Sequence, residues 1–105
     1  MITQVVSTPR LEVDKLIRVS EILKAIAHPT RLKVLEALET HKRLTVNELM
    51  RITDTSQSLL SNHLIKMKDK GILKSERDGK NIYYELADEH LLNIFTCMEN
   101  CSLIY

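Results

Sequence analysis

Residues 55–86, TSQSLLSNHLIKMKDKGILKSERDGKNIYYEL, constrain the fold more than any other stretch of the chain. Leu60, Leu64 and Met67 fall at i, i+4 and i+7, which draws one apolar stripe along a helix. Thr55 is placed to cap the start of that helix, leaving Ser56, Gln57 and Ser58 in its first turn. Gly71 stands where a left-handed residue would stop it. Beyond it, Ile72 to Arg77 and Asn81 to Leu86 alternate as two strands, with Asp78-Gly79 as the hairpin signal. A helix followed at once by a hairpin is the order of a recognition helix and a β-wing, so a winged helix-turn-helix is expected. In a helix-turn-helix the N-terminal end of the second helix enters the DNA major groove. Gln57, Ser58, Ser61 and Asn62 lie off the apolar stripe near that end. Their amide and hydroxyl groups can bond base edges and phosphates.

The remaining sequence reads as mostly helix. Thr8-Pro9 has the form of an N-cap followed by proline at the first helical position, and Leu11, Leu16, Val19, Leu23 and Ile26 continue the spacing. His28-Pro29 interrupts the run, and Pro29 opens a second helix with Leu32, Leu35 and Leu38 inside. Leu44-Thr45 predicts a short edge strand. Thr45 to Glu48 reads as a capping box on a short helix with Leu49 and Ile52 inward, and Thr53-Asp54 is the turn before the recognition helix. Asp88 caps a last helix carrying Leu91, Leu92, Ile94, Phe95, Met98 and Cys101. The expected fold is mainly α with a small β-wing: about five helices and a two- to three-stranded antiparallel wing. It forms one domain over 1–105, with the reader at 45–70 and the wing at 72–86. The end helices, about 9–27 and 89–103, are apolar on more than one face. A chain this short cannot easily cover both, so they are expected to form a homodimer interface; packing on each other within one subunit is the alternative.

Composition narrows the function. With 105 residues, 44% hydrophobic and 28% charged, the chain supports one globular domain with a modest core. No apolar run approaches the roughly 20 residues of a membrane span. The segment MITQVVSTPR lacks the basic and apolar regions of a signal peptide. Two cysteines are too few for a disulfide scaffold. A cytoplasmic protein with reduced thiols and no membrane partner is expected. The net charge of +1 is low for a nucleic-acid reader, but the charges are unevenly placed. Residues 55–86 carry six lysines and arginines against four acids, and residues 87–105 carry three acids and no lysine or arginine. Lys66, Arg77 and Lys80 are the expected phosphate contacts, the last two flanking the wing tip. A dimer doubles this footprint. His28 reads as structural; His63 reads as packed against the turn or locally hydrogen-bonded, with an approach to phosphate as the alternative. No nucleophile–base constellation, glycine-rich phosphate loop or paired-acid cleft is visible, so an enzyme is not expected.

Three segments together carry a family resemblance: Ala27-His28-Pro29-Thr30-Arg31-Leu32, then Ser56-Gln57-Ser58-Leu59-Leu60-Ser61-Asn62-His63-Leu64, then Arg77-Asp78-Gly79-Lys80 leading to Tyr83-Tyr84-Glu85-Leu86. They resemble the ArsR/SmtB family of bacterial repressors, from about Leu16 to the C-terminus. The resemblance implies a dimeric winged helix fold, binding to a double-stranded DNA operator, and release when an inducer binds. Inducers in such a family include metal ions and metalloids, and in some members thiol oxidation or persulfides. The family's Cys-x-Cys metal box ahead of the recognition helix has no counterpart here, because Thr45 and Asn47 occupy that stretch. A second family site lies on the last helix and is shared between subunits. Asp88-Glu89-His90 matches its first half, Cys101 stands where a histidine is usual, and Ile104 cannot ligate.

Asp88, His90 and Cys101 therefore remain as ligands for zinc or another transition metal, beside plainer roles as an N-cap, an exposed histidine and a buried thiol. No other cofactor is implied. Cys97 and Cys101, spaced i, i+4, are either small core hydrophobes or a thiol switch whose oxidation disturbs the dimer interface. Three functions stand: a repressor released by a thiol-reactive or metal inducer, a constitutive regulator of the same fold without a ligand, and a protein-interaction module that has lost DNA binding. The polar Gln57, Ser58, Ser61 and Asn62 face and the basic wing speak against the third, since a protein-binding face would be more apolar or aromatic.

Overall fold

A computed structural model describes residues 8–104; residues 1–7, on which most of the signal-peptide reading falls, lie outside the described residues, as does Tyr105. Five helices run in the order α1 (Val13–Ile26), α2 (Pro29–His41), α3 (Val46–Thr53), α4 (Gln57–Asp69) and α5 (Asn93–Glu99). Strand β1 (Leu44–Thr45) precedes α3, and β2 (Leu73–Asp78) and β3 (Asn81–Leu86) follow α4. A single 3-10 turn, Glu89–Leu92, leads into α5. The strands form one antiparallel sheet in the order β1-β3-β2, with Leu44 opposite Tyr84 and Ser75 opposite Tyr84 on the other side. No helix among the described residues is long and apolar enough to cross a membrane.

The core lies where α2, α3 and α4 meet the base of the sheet. Leu60, Leu64 and Met67, the expected stripe of α4, are fully buried with Val34, Leu35 and Leu49. The end of α4 is closed by a Schellman motif. The Ile72 N–H donates to the Met67 carbonyl at 3.0 Å and the Gly71 N–H to that of Lys68 at 2.9 Å, with Gly71 at φ +78°. The capping box at α3 is complete. The Glu48 N–H donates to Thr45 Oγ1 at 3.1 Å, and the Thr45 N–H donates to Glu48 Oε1 at 2.9 Å. The Thr45 N–H holds the Glu48 carboxyl below its ordinary pKa, with help from the Thr45 hydroxyl.

Four expectations need correction. The first helix starts at Val13, not Pro9. Glu12 takes the N-cap position without a side-chain bond, and residues 9–12 are exposed. A proline signal with no tertiary contact behind it does not nucleate a turn. The cap of α4 is Ser56 rather than Thr55, because the Thr55 hydroxyl turns back to the Thr53 carbonyl at 3.0 Å. In α3, Leu49 is buried but Ile52 is 46% exposed; the inward position is Thr53, whose hydroxyl is satisfied by the Leu49 carbonyl at 2.7 Å. The last helix ends at Glu99, not near 103. The Asn100 side chain donates to the Thr96 carbonyl and competes with helical continuation. Cys101 therefore lies past α5, and the two cysteines do not share a helix face.

One long-range contact ties the helices together. Arg31, in the first turn of α2, donates from Nε to His63 Nδ1 of α4 at 3.0 Å and from Nη1 to the Ala25 carbonyl in the last turn of α1 at 2.8 Å. Arginine has no acceptor, so His63 Nδ1 must be unprotonated. His28 stacks obliquely on the same ring at 4.4 Å between centroids while its own Nδ1 accepts from the Thr30 N–H and caps α2. Burial first, then the charges of His28, Arg31 and Lys66, hold His63 below the ordinary histidine pKa.

Two stability predictions follow from these contacts. Gly71→Ala should lower the unfolding free energy by about 1–2 kcal/mol, the cost of a left-handed L-residue. A Cβ there meets only Arg18 Nη2, at an ordinary contact distance of 3.4 Å, so backbone strain dominates. An unchanged denaturant midpoint would contradict it. For His63 the folded pKa is depressed, so the unfolded chain takes up its proton at higher pH than the native chain. The contribution is whole above the ordinary value of about 6.5 and is lost as pH falls through the folded value. His63→Gln keeps an acceptor for Arg31 but cannot titrate. Denaturation curves from pH 7.5 to 5 should show the wild type losing more stability than this variant, and parallel losses would refute the assignment.

Candidate nucleic-acid interface

With its stripe locked in the core, α4 presents Gln57, Ser58, Asn62 and Lys66 as exposed residues and Ser61 as half-buried. Ser58, Asn62 and Lys66 repeat at i, i+4 and i+8 and form one outward row. Gln57 and Ser61 turn toward the wing. Together with Ile65 of α4 and Lys80, Asn81 and Ile82 of the wing they line a groove of about 330 Å³. The structure thus brings Gln57, Ser61 and Lys80 to one groove and leaves Arg77 on the outer strand, opposite Ile82.

The wing tip differs in detail from the expected Asp78-Gly79 centre. Asp78 pairs with Asn81, so the two-residue loop is Gly79-Lys80. Gly79 has φ +64° and Lys80 is not in the positive-φ region, which matches a type II′ turn with glycine first. This turn lifts Lys80 to the end of the hairpin, exposed.

Two groups of residues carry no obvious sequence signal. Arg43, in a stretch that reads only as a polar connection, lies over the Tyr83 ring at 3.8 Å and within 3.8 and 3.9 Å of the Glu76 and Glu85 carboxylates. It fastens the α2–β1 connection to both long strands and steadies the wing. Asn47 and Arg51, spaced i, i+4 on α3 and both exposed, line a shallow cleft with Ser56 at the start of α4. Their shared face opposite Leu49 is the one hint the sequence offered.

The residues with metal or thiol chemistry stand apart from this face. Asp88 Oδ1 accepts from the His90 N–H at 2.9 Å and lies 2.8 Å from His90 Nδ1. The His90 N–H, and then its ring, hold the Asp88 carboxyl below its ordinary pKa. Among the described residues no three His, Cys, Asp or Glu side chains are grouped closely enough to hold a metal ion. Asp88, His90 and Cys101 therefore do not make a metal site within one chain. Cys97 is exposed and Cys101 half-buried, both as free thiols. An exposed Cys97 does not fit the reading of both cysteines as core residues of a single chain.

Residues 28–75 match the family model described as bacterial regulatory protein, arsR family. The transcriptional repressor PagR of Bacillus anthracis is 45% identical over 67 residues, covering 64% of this chain and 67% of PagR. Its crystal structure superposes with a TM-score of 0.74 at 38% identity, covering 83% of this chain and 99% of that one. The HTH-type transcriptional regulator YgaV of Escherichia coli K12 is 38% identical over 79 residues, 75% of this chain and 80% of YgaV. A homologue of the cadmium resistance transcriptional regulatory protein CadC from Staphylococcus aureus is 36% identical over 73 residues, 70% of this chain and 60% of the relative. A shared winged helix-turn-helix and this level of identity lead to one conclusion: the chain belongs to the ArsR family of bacterial regulatory proteins and is a DNA-binding transcriptional repressor, not an enzyme.

Proposed function

We propose that the chain acts as a homodimer on an imperfect palindrome of duplex DNA and that its operator is released by chemistry at the C-terminal thiols. The observation that carries the dimer is uncovered apolar surface. Along α1, Val13 is 70% exposed, Leu16 51% and Ile17 54%. Beside them Leu23, Ile26, Leu32, Phe95, Met98 and Ile104 line a nearly all-carbon cleft of about 450 Å³. A monomer in water would leave this surface wet, and a second copy related by two-fold symmetry covers it. Such a dimer sets two copies of α4 about one helical turn, roughly 34–36 Å, apart. Gln57, Ser58, Ser61 and Asn62 then address base edges, while Lys66, Arg77 and Lys80 meet phosphates.

Sedimentation at micromolar concentration should show a dimer; monomer alone would overturn this reading. On the operator, Asn62→Ala and Gln57→Ala should each weaken specific binding by about 1–3 kcal/mol and leave non-specific binding nearly unchanged. Lys80→Ala should weaken both and flatten the salt dependence. Operator binding by both amide variants at wild-type strength would place the helix wrongly.

Control by an inducer rests on Cys97 and Cys101. They sit at and just past the end of α5, next to Met98 and Ile104 of the apolar cleft. Joining the thiols as a disulfide, with two electrons and two protons passing to an oxidant, alters the surface on which the dimer closes. Zinc or another transition metal enters this proposal only as a site shared between subunits, since one chain does not assemble Asp88, His90 and Cys101. The test compares wild type with Cys97→Ser/Cys101→Ser for operator binding under reductant, oxidant, persulfide donor, arsenite and zinc. Wild type should release DNA in at least one oxidising or thiophilic condition that leaves the double variant bound. Identical behaviour throughout would remove the thiol switch.

A further inference from the structure

Leu59 is the third residue of α4 and is 59% exposed, between exposed Ser58 and fully buried Leu60. The fold makes little use of its side chain. It lies outside the core, and it is remote in sequence from the apolar surface of α1 and the C-terminal segment that a dimer would cover. Ile65, the other exposed apolar residue of α4, faces the groove it shares with Ile82 and Tyr84 of the wing. Leu59 instead lies three residues before Asn62, so their Cβ atoms are about 5–6 Å apart on the helix surface. It occupies the first turn, the part of a recognition helix whose residues contact base edges.

We propose that Leu59 is a specificity residue that reads the 5-methyl group of a thymine in each operator half-site. The thymine methyl is the one apolar group on the major-groove floor, and an aliphatic side chain is its complement. Asn62 has the amide geometry to bond adenine N6 and N7. At their spacing the two side chains reach the same base-pair step, so the thymine lies in the same base pair as the adenine addressed by Asn62 or in the adjacent one. This rests on the reading of α4 as the DNA-entering helix.

The experiment selects operator DNA from a random pool with wild-type protein, then remakes it with each thymine in turn replaced by uracil, which deletes only the methyl. Wild type should lose about fourfold in affinity at one thymine per half-site, the value of one buried methyl-sized group. Leu59→Ala should bind the thymine operator more weakly and be indifferent to uracil at that position, and Leu59→Met should keep the sensitivity. Such non-additivity isolates the pair, and because Leu59 is exposed its replacement leaves the core intact. If every uracil operator weakens wild type and Leu59→Ala equally, the assignment to Leu59 falls while operator binding stands. If the pool yields no enriched sequence, the DNA-reading role of α4 falls with it.

Discussion

The burial of Leu60, Leu64 and Met67 determines nearly everything this molecule offers to its surroundings. Their side chains are removed from solvent against the Leu35, Leu38 and Leu49 side of the core. A helix has only one orientation that hides such a stripe. Once it is hidden, the row through Ser58, Asn62 and Lys66 must face outward and Gln57 and Ser61 must face the wing. The exposed polar row is thus a consequence of core packing, not an independent design. Emptying one of these leucine positions would leave a cavity, at a typical cost of about 2–5 kcal/mol, and would loosen the helix that carries the polar row.

A net charge of +1 is small for a protein that approaches a polyanion. Several of its acids are paired close by. Glu76 and Glu85 lie near Arg43, and Glu85 also lies 4.0 Å from Lys74. Lys80 at the wing tip and Lys66 on α4 belong to no ion pair among the described residues, so their charge is available to phosphate. Of the acids of the C-terminal segment, Asp88 caps the 3-10 turn, Glu89 lies on it and Glu99 ends α5. Separation of this kind lets a nearly neutral chain keep a basic face, because fields between exposed charges fade over a Debye length of about 8 Å at physiological salt.

What the sequence discloses follows from how local each feature is. The stripe of α4, the Gly71 stop, the Thr45 capping box and the two wing strands depend on neighbours within a few residues, and the structure has all of them. The choice between Thr55 and Ser56 as cap depends on which hydroxyl the Thr53 carbonyl captures. The exposure of Ile52 depends on Thr53 satisfying its hydroxyl internally, which lets a polar residue take the inward place. The start of α1 and the end of α5 depend on packing that the apolar pattern alone does not specify. Among the site residues, the polar row on α4 was legible because it sits opposite an obvious stripe. Arg43 and Arg31 were not, since their partners lie 40 and 32 residues away along the chain, measured to Tyr83 and His63.

Arg31 also shows how the two ends of the fold are mechanically joined. Its guanidinium accepts no compromise between partners: Nη1 serves the open carbonyl of Ala25 at the end of α1, and Nε serves His63 in the middle of α4. A second arginine, Arg18, donates from the middle of α1 to the Lys70 carbonyl at the end of α4 at 2.9 Å. The helix with the most uncovered apolar surface is therefore tied to the helix that presents the polar row twice, once directly through Arg18 and once by way of Arg31 of α2. Two contacts about two turns apart on α1 fix direction as well as position, which one contact would not. Whatever sets the course of α1 also sets the course of α4, unless it first breaks a charge-assisted hydrogen bond, which is among the stronger polar contacts a protein makes.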